Sequence, residues 1–270
     1  MFEIGPWVAA PIETAGETVF AVGDVHGCTP LLEAMLAGIA GLLLPGAGPV
    51  ADPRLVFLGD MIDRGPDGIG TLRRWAAAEP VPGIARVDRL MGNHEQMMLL
   101  AARGDVAARD LWLSLNGETM LGELQAASGR PGAMPDAAML RAALGEAVVA
   151  ALGGLVSHVA VGNLVLVHGG LDPAQDRAAF LALPWDDIAL RPRHWAWITG
   201  GFLDWQGGFG GRLVVHGHTP PAKQRPFTGM DNPHVLAEGR LNLDGGSAVT
   251  GSVVAAQMET GRYRVLRAAT

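Results

Sequence analysis

Short apolar runs recur along the chain, and five of them end alike. Val19–Val22 runs into Gly23-Asp24-Val25-His26-Gly27, Leu55–Leu58 into Gly59-Asp60, and Leu90-Met91 into Gly92-Asn93-His94-Glu95. Leu164–Val167 runs into His168-Gly169-Gly170, and Leu213–Val215 into His216-Gly217-His218-Thr219. Uncharged, β-branched runs of this length predict buried strands, and the longer apolar or amphipathic stretches between them predict helices. The pattern predicts strands over Thr18–Val22, Leu55–Leu58, Val87–Met91, Leu155–Val161, Asn163–Val167, Leu213–Val215, Leu241–Leu243 and Ser252–Gln257. It predicts helices over Thr29–Leu43, Asp67–Ala78, His94–Ala102, Thr119–Ala127 and Pro135–Leu152, with Pro30 suited to the first turn of the first. Alternation of the two from end to end predicts the α/β class. No repeat or low-complexity linker divides the chain, so one domain over residues 1–270 is expected.

The polar residues closing those runs carry the chemistry. In α/β sheets ligands bind outside the carboxyl ends of the strands. Glycines there allow tight turns and close backbone approach. Asp, Asn and His supply the oxygen and nitrogen donors that divalent first-row metals take. One Gly-Asp or Gly-Asn pair is an ordinary turn. Five strand ends all delivering metal-ligand chemistry exceed what turn propensity explains, and they offer more donors than one cation needs. That favours two.

Composition narrows the picture further. The chain has 270 residues, 49% hydrophobic and 17% charged, which is a globular composition able to bury a sizeable core. Its formal net charge is -7 with no Lys/Arg-rich run, which argues against nucleic-acid binding. The single Cys28 excludes an internal disulfide and a cysteine zinc cluster. The start lacks a basic segment followed by an apolar core, so no signal peptide is expected. Ala34–Leu44 is too short to span a bilayer, and Ala147–Val167 is broken by Gly153-Gly154, Ser157-His158 and Gly162-Asn163. A soluble, cytoplasmic protein in a reducing compartment is expected. No P-loop and no Gly-x-Ser-x-Gly elbow occurs, and the Gly207–Gly211 run does not match a dinucleotide fingerprint. His94-Glu95 opens like a zinc-protease helix but has Met98 where the second histidine is required.

Asp24-Val25-His26-Gly27, Gly59-Asp60-Met61-Ile62-Asp63-Arg64-Gly65, Gly92-Asn93-His94-Glu95, His168-Gly169-Gly170 and Gly217-His218-Thr219, in this order, resemble the motif set of the phosphoprotein-phosphatase branch of the calcineurin-like metallophosphoesterases. That branch includes bacterial serine/threonine phosphatases, the lambda phage phosphatase and symmetrical diadenosine tetraphosphatases. The resemblance spans Val19 to about Gln257. It implies two mixed β-sheets packed as a sandwich and flanked by helices. It also implies two divalent metal ions: Asp24 and His26 on the first, Asp60 bridging, and Asn93, His168 and His218 completing the second. By the same resemblance His94 is the general acid, Asp63 orients it, and Arg64 and Asn93 lie at the phosphate. Two metals can lower the pKa of a bridging water for direct in-line attack on phosphorus, without a covalent enzyme intermediate. Mn²⁺ is the first choice of metal, with Fe or Zn also suited to these ligands.

Three more stretches resemble the small bacterial members. They are Asn116-Gly117-Glu118-Thr119, within a cap-like helical segment around 103–150, then Trp195–Leu203, and Asn242-Leu243-Asp244-Gly245-Gly246. The second departs from the pattern: Thr199 stands where relatives carry a phosphate-binding arginine. Arg191, Arg193 or Arg225 is expected to replace it, or phosphate binding is weaker, or the substrate is different. His216 is expected to be structural or to back the neighbouring ligands, His158, His194 and His234 to be core or surface residues, and Cys28 to be a packing residue. The implied activity is hydrolysis of phosphomonoesters, with phosphoserine and phosphothreonine of proteins as the first substrate class. The alternatives are symmetrical cleavage of dinucleoside polyphosphates and a weakly active phosphate-binding module.

Overall fold

The computed structural model describes residues 1–46, 48–77, 79–224 and 235–270; Ala78, the expected end of the second helix, lies outside them. Strands and helices are numbered in chain order. Among the described residues the first sheet has seven strands: β1 (Phe2–Ile4), β2 (Val8–Ala9), β3 (Thr18–Val22), β4 (Pro53–Phe57), β5 (Arg86–Arg89), β11 (Ser252–Glu259) and β12 (Arg262–Ala269). Their order is β1-β12-β11-β3-β4-β5, with β2 also on β12. The second sheet has five: β6 (His158–Val161), β7 (Leu164–Val167), β8 (Leu213–His216), β9 (Val235–Ala237) and β10 (Arg240–Asn242), in the order β6-β7-β8-β10-β9. Both sheets are mixed. Strands β3, β4 and β5 run parallel, as do β7, β8 and β10, and antiparallel partners flank each set.

Alternation along the strands explains the layering. In β3, Val19 and Ala21 face the second sheet, while Phe20 and Val22 face helices. In β7, Leu164 and Leu166 face the first sheet, while Val165 and Val167 face the opposite way, onto Phe180, Trp195 and Phe202. With both faces covered, these strands are apolar throughout, which is why the runs stand out in the sequence. The result is the expected sandwich of two mixed sheets flanked by helices.

The helices are α1 (Thr29–Leu42), α2 (Gly68–Trp75), α3 (Asn93–Ala102), α4 (Val106–Ser114), α5 (Glu118–Ser128), α6 (Ala137–Leu144), α7 (Glu146–Gly153), α8 (Arg177–Leu181), α9 (Gly200–Leu203) and α10 (Ser247–Thr250). The helix expected over Pro135–Leu152 is two helices. Gly145, at φ 83°, breaks it and joins α6 to α7. Helix α4 was not expected, although Asp105 caps it by accepting from Ala108 N at 2.9 Å. Strand β12 was also not expected: its arginines alternate with buried Tyr263, Leu266 and Ala268 and hide the apolar run. No helix among the described residues is long and apolar enough to cross a membrane.

Candidate active site

The strand-end turns of both sheets meet at one edge of the sandwich. The Asp24–His26 turn is pinned to the Asp60 turn, because the backbone N–H groups of Val25 and His26 both donate to Asp60 O at 3.0 Å. Glu95 ties in the third turn: its carboxylate accepts from Asp60 N at 2.8 Å, Met61 N at 2.7 Å and Gly92 N at 3.1 Å. These approaches require glycine. A Cβ on Gly92 would overlap Asp60 N and Oδ1, and one on Gly217 would overlap Asp24 Oδ1. His26, Asp60, Asp63, Arg64 and His218 all adopt positive φ, between 46° and 70°. Non-glycine residues seldom do so, and such strain collects at functional sites.

Two donor clusters share Asp60. Ligand atoms of His26, Asp60 and His94 lie within 4.8 Å of one another, and so do those of Asp60, His168 and His218. Asp60 Oδ2 is 3.6 Å from His26 Nε2, and Oδ1 is 3.3 Å from His168 Nε2. His26 Nδ1 bonds Ile62 O at 2.8 Å and His168 Nδ1 bonds Leu58 O at 2.9 Å, so both rings present Nε2 inward. Asn93 Oδ1 faces His168 Nε2 at 3.1 Å and His218 Nδ1 at 2.8 Å. Asp24 lies 4.0 Å from His26 Nε2 and accepts from His218 N at 3.0 Å. This convergence of oriented imidazoles and carboxylates fits divalent cations.

A second group adjoins the first. His94 Nδ1 donates to Asp63 Oδ2 at 2.6 Å, and Trp112 Nε1 donates to the same oxygen at 2.7 Å. A guanidinium only donates. Arg64 therefore gives one proton to His26 Nε2 at 2.6 Å and another to His94 Nε2 at 3.0 Å. His94 is thus the tautomer protonated on Nδ1.

Burial dominates the electrostatics. It pushes His94 down to about 4 and His218 to about 3, and holds His26 well below its usual value. Burial raises Asp63 well above the carboxylate range. Asp24 is raised as well, by burial first and then by repulsion from Asp244. Burial would also raise Asp60, but His168, His94 and His26 outweigh it and hold Asp60 low.

All nine residues expected at the site, Asp24, His26, Asp60, Asp63, Arg64, Asn93, His94, His168 and His218, therefore come together. His216 does not join the clusters; its ring packs edge-on against Phe202 with centroids 4.9 Å apart. His194 packs at a tilt against Trp195, and His158, the first residue of β6, bonds Ser157. His234 and Arg225 lie outside the described residues. Of the arginines expected to replace the one missing at Thr199, Arg193 borders a surface pocket with Asp172. Arg191 stacks over Trp197 at 5.7 Å, and Trp197 in turn packs 6.2 Å from His218. Cys28 donates to His26 O at 3.6 Å and burial raises its thiol. Sequence reasoning gave no role to Glu95, Trp112 or Asp244. Glu95 stands inside a quoted motif and Asp244 inside a quoted turn, whereas Trp112 lies 49 residues from Asp63 and carries no local signal.

Comparison with known proteins agrees with this geometry. The family model for calcineurin-like phosphoesterases matches residues 17–246. A symmetrical bis(5'-nucleosyl)-tetraphosphatase of Acidovorax sp. is 37% identical over 86 residues, covering 32% of this chain and 26% of that protein. Serine/threonine-protein phosphatase 1 of Salmonella typhimurium is 35% identical over 107 residues, covering 37% of this chain and 39% of that protein. The chain thus spans about a quarter to two-fifths of the length of these curated relatives. A protein serine/threonine phosphatase structure from Saccharomyces cerevisiae shares the fold at 14% identity and a TM-score of 0.52, covering 95% of this chain and 81% of that one. The extent of the family match, over a sandwich whose strand ends carry the motifs, places this chain in the calcineurin-like phosphoesterase family.

Proposed function

We propose that the protein is a metal-dependent phosphatase in which Asp24, His26 and Asp60 hold one divalent cation and Asp60, Asn93, His168 and His218 hold a second, with Mn²⁺ as the first choice. The observation that carries this reading is Asp60, whose two oxygens face His26 on one side and His168 on the other. A shared carboxylate offsets the repulsion between two cations. Bound cations would acidify a water and draw charge from the phosphoryl oxygens.

The chain's own groups do the rest. Asp63 holds His94 Nδ1 and turns Nε2 into the cleft, where it protonates the leaving oxygen. The charge of a bound phosphate joins Asp60 in favouring the protonated imidazole. His26 Nε2 cannot accept from Arg64 and hold a cation at once. With a cation held on His26 Nε2, Arg64 would be released from that contact and its planar fork would suit phosphate oxygens. The helices between Val106 and Gly153 act as a cap within the single domain, and Trp112 from this segment closes over Asp63.

Phosphomonoesters, with phosphoserine and phosphothreonine of proteins first, are the substrates this site suits. One observation favours the second reading, symmetrical hydrolysis of a dinucleoside polyphosphate. A cavity of about 430 Å³ beside His26 and Arg64 has Lys223 and Arg267 on its wall and Pro220, Pro221 and Val249 as apolar surface. A cytoplasmic location is supported by the single cysteine, which leaves the chain without an internal disulfide. The test gives Mn²⁺-loaded protein a phosphoserine peptide and diadenosine tetraphosphate together. Phosphate released from the peptide supports the first reading and ADP the second. Neither product, with metal bound, contradicts both.

A further inference from the structure

The turn after β10 carries a carboxylate that the two-cation reading leaves unused. Asp244 is 1% exposed. Its backbone N–H donates to Asn242 Oδ1 at 2.8 Å, and its Oδ1 accepts from Gly246 N at 2.8 Å. Those bonds define a tight turn, and an asparagine would serve them equally. Oδ2 is different: among the described residues nothing donates to it. A buried carboxylate with a bare oxygen is costly unless a cation faces it.

Its surroundings say where that cation lies. A Cβ on Gly23 would overlap Leu243 O, so the Asp244 turn packs directly on the Asp24 turn. Strand β10 runs parallel to β8 with Asn242 opposite His216, which sets Asp244 beside Gly217-His218. Asp244 also lines the same cavity as His26 and Arg64.

We propose that Asp244 is a further anionic member of the divalent-cation site, acting on the Asp24–His26 side through its free Oδ2. This rests on the two-cation reading and makes the two positions unequal. The Asp24 side has three carboxylates, Asp24, Asp60 and Asp244, against one imidazole. The other side has the shared Asp60, the Asn93 amide and two imidazoles. The first is an oxygen-rich site for a hard cation such as Mn²⁺ or Mg²⁺, and the second is imidazole-rich.

The test is calorimetric titration of Mn²⁺ into cation-free parent, Asp244→Asn and Asp244→Ser proteins, with melting temperatures measured with and without Mn²⁺. The expected result is two binding events in the parent, one of them weakened about 10–100-fold in the variants and the other unchanged. Without Mn²⁺ the Asn variant melts at or above the parent, because a buried like charge is gone. With Mn²⁺ it gains less. A role confined to the turn would lower the melting temperature of Asp244→Ser in both conditions and leave the titration untouched, which overturns the proposal. Two normal events in parent and variants overturn only the role of Asp244. A parent that binds no Mn²⁺ overturns the two-cation reading and this proposal with it.

Discussion

His94 and Asp63 share one hydrogen bond between fully buried side chains, with Trp112 fixing the carboxylate from the other side. His94→Asn removes the proton donor but replaces no proposed metal ligand. It should lower kcat by about 10²–10⁴-fold while the bound metal per chain stays at the parent value; equal loss of metal would show that His94 is a ligand instead. The stack of Arg191 on Trp197, which packs beside His218, makes Arg191 the candidate to supply the charge that Thr199 lacks. Arg191→Ala should raise KM for a phosphomonoester several-fold with little change in kcat. His194 gives the pH response away from the metal ligands. Burial holds it at about 4 in the fold against about 6.5 unfolded. The unfolded chain thus binds the extra proton first, so this contribution is complete above about 6.5 and is lost as pH falls toward 4. His194→Phe should flatten the fall of melting temperature over that window. The proposed ligands were legible because each stands beside glycine at the end of an apolar run. Trp112 was not, because only the folded chain brings it to Asp63.

At the scale of elements, the turns matter more than the strands. Five site residues sit at positive φ; Gly92 and Gly217 are required by contact, while Gly27 and Gly59 also sit at positive φ. Gly217→Ala puts a methyl group on Asp24 Oδ1. It should weaken metal binding and spare the strand β8 that precedes it, a split readable as lost metal content with unchanged circular dichroism. Helix α4 reaches the site through one bond. Trp112→Phe removes that donor and keeps most of the packing, and should lower kcat about tenfold. Strands β3, β7 and β8 could be read from the sequence because both their faces are buried. Helix α4 and strand β12 could not, since charged residues interrupt their apolar positions. The break at Gly145 was missed because alanine and leucine on both sides favour a continuous helix.

For the whole molecule, two mixed sheets place parallel strands side by side, and parallel neighbours end at the same edge. That is how turns from residue 24 to residue 218 reach one point without any long loop carrying a ligand. The sandwich itself came from family resemblance; alternation alone reached only the α/β class. The most direct test of the central claim is the number of Mn²⁺ ions bound per chain, measured beside phosphate release, for the parent and Asp60→Asn. The account predicts two ions and phosphate release in the parent, and loss of high affinity at both positions together with the activity in the variant. One ion in the parent, or a variant that keeps two, would contradict it.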